Sequence, residues 1–175
     1  MTEPDRGPKE VEARSVGGEP FRLLYLCTGN TCRSPLAEGL TRRALAARGW
    51  DHVEVRSAGV AAFPSGPASR GSIGVAAQHD LDLSTHKSTP LSPELVAWAD
   101  LILTMSPGHL RAVESWGGGK KAAVITDFAA EQAGAGPSGV PDPHGGEAAE
   151  YQATFEILES LVEQTLARLA PLVSP

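Results

Sequence analysis

Cys27, Arg33 and Asp142 are the residues whose types and settings could carry out a reaction. The first two bracket the run Cys27-Thr28-Gly29-Asn30-Thr31-Cys32-Arg33-Ser34-Pro35. Closed into a ring, that run offers an anion a nest of inward-facing main-chain N–H groups. A helix starting at its end adds unpaired donors and positive potential. Gly29 and Asn30 are the residue types that best tolerate the positive φ of a tight ring. Arg33 completes the ring with a planar fork that can hold two phosphate oxygens. The donors that bind phosphate also stabilise a thiolate, so Cys27 needs no partner histidine to become a nucleophile. Ser34 is near enough in sequence to donate to it.

Attack of that thiolate on phosphorus gives a phosphocysteine. Arg33 and the ring residues Thr28, Gly29, Asn30, Thr31, Cys32 and Ser34 would stabilise the phosphoryl oxygens. The leaving group needs a proton. Asp142, in Val140-Pro141-Asp142-Pro143, is the candidate donor. Its flanking prolines restrict where the carboxylate points, and it would later take a proton from water. Against this stand blander roles. A single cysteine is more often a small buried hydrophobe, and Asp-Pro is a common turn dipeptide. For Cys27 the strand before it and the Ser-Pro after it weigh against the bland role. Cys32 keeps three roles open: structural, simple packing, or a reversible disulfide that shields Cys27 from over-oxidation.

The elements that must position these groups follow from periodicity. Residues 21–26 (FRLLYL) read as a strand buried on both faces. Ser34-Pro35 reads as N-cap and first helical position, with Leu36, Leu40 and Ala44 at helical spacing and Gly49 as the stop. Further strands are expected at 53–57, 101–105 and 122–125. Helices are expected at 68–79, from Ser92-Pro93 to Trp98, and from Ser106-Pro107 to about Trp116. Residues 129–141 read as a Gly/Pro/Ala-rich loop. A long helix starts at Glu147, with Tyr151, Phe155, Leu158, Val162, Leu166 and Leu169 on one stripe, and ends at Pro171. Residues 116–121 (WGGGKK) lack GxxxxGK[ST] spacing and precede a strand, so they read as a turn.

Alternating strands and helices imply an α/β single domain, a parallel sheet with helices on both faces. Ligands of such sheets sit beyond the carboxyl ends of the strands. The expected organisation is a disordered leader at 1–20, a domain at 21–170 and a tail at 171–175. The 175 residues suffice for one core. A net charge of −6 argues against a nucleic-acid partner. No apolar run suits a membrane span or a signal peptide. Two cysteines and five scattered histidines leave no metal site and imply no cofactor. The expected setting is cytoplasmic, and the expected state a monomer.

At these residues the chain resembles the low-molecular-weight protein tyrosine phosphatases, with features of the bacterial protein-arginine phosphatase branch. The resemblance covers about 21–169. CTGNTCRSP carries it, with Ser57-Ala58-Gly59, residues 86–90, residues 99–105 and Asp142-Pro143. It implies a four-stranded, flavodoxin-like three-layer sandwich and metal-free hydrolysis of phosphotyrosine on a protein substrate. It also implies Cys27 as nucleophile, Arg33 as clamp, Asp142 as acid, and Asn30 and Ser34 as supports of the loop. Phe63 falls where the family often has an aromatic wall. His144 and Gly145 stand where many members carry an aromatic pair. Thr31 replaces an apolar residue, as in the arginine phosphatases; its hydroxyl could accept from a guanidinium, so phosphoarginine is the alternative substrate. Arsenate reduction is a further alternative, weakened because no cysteine follows Cys32. A non-catalytic phosphate-binding module would be expected to lack Cys27 or Asp142.

Overall fold

A computed structural model describes residues 18–130 and 138–173. The expected leader falls mainly outside the described residues, as do the middle of the 129–141 loop and the last two positions of the tail.

Four strands form one parallel sheet: β1 (Phe21–Cys27), β2 (Val53–Gly59), β3 (Leu101–Thr104) and β4 (Ala122–Val124), in the order β2-β1-β3-β4. Successive side chains of β1 point to opposite faces, so both sets must be apolar if both faces are covered. Leu23 and Tyr25 join the larger core, while Leu24 and Leu26 join the smaller one. This explains the unbroken apolar run. The chain runs from β1 to β2 on one side and from β2 across to β3 on the other. The order therefore reverses beside the carboxyl end of β1, where Cys27 sits.

The helices are α1 (Arg33–Arg48), α2 (Arg70–Gln78), α3 (Pro93–Trp98), α4 (Pro107–Ser115), α5 (Ile125–Ala129) and α6 (Ala148–Val173). Ser92 and Ser106 cap α3 and α4 as expected, and Ser69, expected inside a helix, caps α2; they accept from the N–H groups of Leu95, His109 and Ser72. The α6 stripe from Tyr151 to Leu169 is buried as expected. Phe155 and Leu158 are fully enclosed, and truncating either to alanine would cost about 2–5 kcal/mol. Tyr25 is enclosed too; its hydroxyl meets Thr41 Oγ1 at 2.8 Å, and burial pushes the phenol up.

Three expectations are corrected. Helix α1 begins at Arg33 with Cys32 as its cap residue, so Ser34 is not the N-cap. Its hydroxyl turns to the Cys27 sulfur instead. Helix α6 passes Pro171 and ends at Val173. A proline in the last turn forfeits little of the hydrogen-bond ladder, Val173 is buried, and the His52 ring is hydrogen-bonded to the Val173 carbonyl. The strand expected at 122–125 ends one residue early, and α5 follows at once without a side-chain cap.

Candidate active site

The segment from Cys27 to Arg33 crosses from β1 to α1 over the carboxyl end of the sheet. Its amides at Gly29, Asn30, Thr31 and Cys32 donate to no main-chain carbonyl in the loop and turn bonding. The loop is held from behind by one asparagine. Asn30 takes φ 55° and is fully buried. Its Nδ2 donates to Ser34 Oγ at 2.8 Å and to Ser57 Oγ at 2.9 Å. Its Oδ1 accepts from the Thr89 N–H at 2.9 Å, and its carbonyl lies 2.8 Å from His86 Nε2. Asparagine suits this post because it accepts positive φ and carries both donor and acceptor.

The sulfur and the serine are neighbours: Cys27 Sγ lies 2.9 Å from Ser34 Oγ. Behind them β2 ends at Gly59. A Cβ there would stand 2.5 Å from the Thr28 carbonyl oxygen and 2.8 Å from the Asn30 nitrogen, so the close approach of loop and strand requires glycine.

Arg33 is buried, and its Nη1 donates to the Val140 carbonyl at 3.0 Å. Its Nη2 lies 3.5 Å from Asp142 Oδ2. The two side chains are 6% and 49% exposed, so the pair joins a buried cation to a half-exposed acid. Asp142 Oδ1 accepts from the His144 N–H at 3.1 Å, which orients the carboxylate within its own turn. Cys27, Thr28, Gly29, Thr31, Cys32, Arg33, Asp142 and His144 line one cavity of about 160 Å³. Two larger grooves, of about 510 and 480 Å³, flank the 142–146 turn and share His144 with it. Cys27, Arg33 and Asp142 belong to the small cavity, and the grooves are open surface beside it.

The structure brings Cys27, Thr28, Gly29, Thr31, Cys32, Arg33 and Asp142 together at one cavity. Asn30 and Ser34 stand behind the cavity rather than in its wall. Phe63 is 86% exposed and lies outside the cavity lining, whereas His144 belongs to it. Cys32 is a free thiol, as is Cys27. Its Sγ donates to Ser69 Oγ at 3.3 Å and lies 3.6 Å from the Tyr151 hydroxyl. Burial pushes that phenol up.

His109, on the first turn of α4, escaped sequence reasoning. It is buried, and its Nε2 lies 2.9 Å from Thr28 Oγ1. Burial lowers its pKa from the ordinary 6.5 to about 4, helped by the Arg33 charge and opposed by Asp142. An isolated histidine in a helix gives no sequence signal, and its partner lies 81 positions away.

Residues 22–173 match the low molecular weight phosphotyrosine protein phosphatase family. The chain belongs to that family. It is a cysteine-based phosphatase, a hydrolase. It is 37% identical over 147 residues to a protein-arginine-phosphatase of Bacillus subtilis, covering 84% of this chain and 95% of that one. It superposes with a TM-score of 0.78 on a mutant YwlE arginine phosphatase with a phosphorylated active-site serine, at 34% identity over 85% of this chain and 95% of that one. The low molecular weight protein tyrosine phosphatase of T. tengcongensis gives the same TM-score at 35% identity, with 85% and 99% covered. Among the described residues no helix is long and apolar enough to cross a membrane.

Proposed function

We propose that the protein dephosphorylates phosphoproteins through a phosphocysteine, with Cys27 as nucleophile, Arg33 as clamp and Asp142 as general acid. Cys27 Sγ bonds to phosphorus as the ester P–O bond breaks, and Asp142 protonates the departing oxygen. Water then attacks phosphorus, the S–P bond breaks, Asp142 takes the proton from water, and inorganic phosphate leaves. The Ser34 hydroxyl is placed to donate to the sulfur both before attack and as it leaves. The amides at 29–32 and the Arg33 fork hold the phosphoryl oxygens. One observation carries the reading: sulfur, guanidinium and carboxylate line a single cavity at the switch point of the sheet.

Phosphotyrosine is the first substrate reading, as in the family's description. A second reading, phosphoarginine, is favoured by Thr31. Thr31 is one of the residues that line the cavity, with a hydroxyl able to accept from a guanidinium, and the next residues after Asp142-Pro143 are His144 and Gly145 rather than aromatics. The similarity to arginine phosphatases supports this reading. Two free thiols suit a reducing compartment such as the cytoplasm, and we take the monomer as the working unit.

The first test is turnover of p-nitrophenyl phosphate without added metal. Cys27→Ser should abolish it, and full activity in that variant would refute the nucleophile. For substrate choice, phosphotyrosine and phosphoarginine peptides are compared in wild type and Thr31→Ile. Loss of arginine over tyrosine preference is expected if the hydroxyl reads the guanidinium; an unchanged ratio removes the second reading.

A further inference from the structure

We infer that His109 is a positioning residue that fixes the direction of the Thr28 hydroxyl, committing its proton to the oxyanion in the phosphate cavity. The inference rests on the phosphatase reading and adds one oriented side-chain donor to the main-chain ring.

The contact between His109 Nε2 and Thr28 Oγ1, at 2.9 Å, can run in either direction. The other ring nitrogen decides which. His109 Nδ1 is buried and has no hydrogen-bond partner among the described residues. A proton there would leave a buried N–H orphaned, whereas a bare lone pair is the better tolerated vacancy. So Nε2 carries the proton and donates to Thr28. The doubly protonated ring would also orphan Nδ1–H. It would add a cation at the positive end of α4, beside the Arg33 guanidinium, with only the half-exposed Asp142 to offset it. The lowered pKa of the ring agrees with this arrangement.

The consequence falls on Thr28. A hydroxyl has one proton and two lone pairs. With a lone pair taken by His109, the proton remains for another acceptor. Thr28 is exposed and lines the cavity with Cys27, Gly29 and Arg33, so an oxygen of a bound phosphoryl group can take that proton in place of water. Were the ring reversed, Thr28 would donate to His109 and turn lone pairs toward an anion. A neutral imidazole, fixed in one tautomer, thereby makes an ambivalent hydroxyl a donor.

The experiment measures inorganic phosphate binding by calorimetry on the full chain, together with p-nitrophenyl phosphate kinetics. Thr28→Val and His109→Leu should each weaken phosphate by roughly tenfold, the scale of one hydrogen bond to a charged group. The double variant should be no weaker than Thr28→Val. His109→Gln, which can present an N–H near the Nε2 position, should recover binding to within a few fold. Ring nitrogen NMR of the wild type should show the proton on Nε2 at pH 7. Equal phosphate affinity in wild type and Thr28→Val, losses that multiply in the double variant, or a proton on Nδ1 would each overturn the inference. The NMR arm needs no variant to fold. If wild type bound no phosphate and Cys27→Ser kept turnover, the phosphatase reading itself would fall; normal phosphate binding with an unresponsive Thr28→Val would sink only the role of His109.

Discussion

The two walls of the cavity are built on different principles. The wall from Cys27 to Arg33 is anchored through Asn30 by buried bonds to Ser34 and Ser57 and partly buried ones to His86 and Thr89, on segments far apart in sequence. The wall from Gly139 to Gly146 is half exposed and held by its own turn, two prolines, a main-chain bond between Val140 and Met105, a bond from the Gly139 N–H to the Thr126 hydroxyl, and the Arg33 side chain. A phosphoryl group needs donors fixed before it arrives, because preorganised dipoles cost no rearrangement during reaction. A proton donor must serve a leaving group in one step and a water in the next. The rigid wall suits binding, and the lightly held wall suits proton transfer. Variants should therefore split into those that spare phosphate affinity and those that do not.

The largest effect falls on the lightly held wall. Asp142→Asn should lower kcat by about 10²–10³-fold while leaving inorganic phosphate affinity within a few fold, measured by steady-state kinetics and calorimetry. A parallel loss of affinity would show that the two walls are not separable. Gly59→Ala attacks the rigid wall from behind. Its methyl cannot fit 2.5 Å from the Thr28 carbonyl, so stability should fall by about 1–3 kcal/mol in urea titration, with phosphate affinity falling alongside. Gly145 has φ 77° with nothing near its Cβ position. Gly145→Ala should cost about 1–2 kcal/mol of local strain, read as a several-fold drop in kcat at unchanged phosphate affinity.

The smallest effect is a pH dependence of stability. His109 has a folded pKa near 4 against the ordinary 6.5, so the unfolded chain binds the extra proton between those values. The stability it contributes is complete above about 6.5 and is lost as pH falls toward 4. The melting temperature of wild type should therefore decline across that window more steeply than that of His109→Leu. Identical slopes would show that the ring is not held neutral by the fold.

The same contrast governs what could be read without coordinates. The rigid wall is a contiguous run, so its residue types and their order disclosed it. The strands and the capped helices α3 and α4 were legible because apolar period and Ser-Pro caps are local signals, whereas Ser69, the cap of α2, reads from sequence as part of its helix. The start of α1 was not, because Ser34-Pro35 has the composition of a cap while the sulfur seven positions back outcompetes the helix for that hydroxyl. Pro171 looked like a stop, but burial of Val173 outweighs one missing donor. Helix α5 has no capping side chain to announce it. His109 and the Val140 carbonyl act across long separations, and nothing in a linear pattern encodes such pairs.

Arg33 touches both walls, through the Val140 carbonyl and Asp142 on one side and the cavity on the other. Under the proposed function, any replacement at this position would both remove a phosphate ligand and unmoor the turn that carries Asp142. Its kinetic damage therefore overlaps with that of Asp142→Asn, and the double variant should be less impaired than the product of the two singles. If the proposed roles hold, one guanidinium is the hinge pin on which substrate capture and proton delivery hang together.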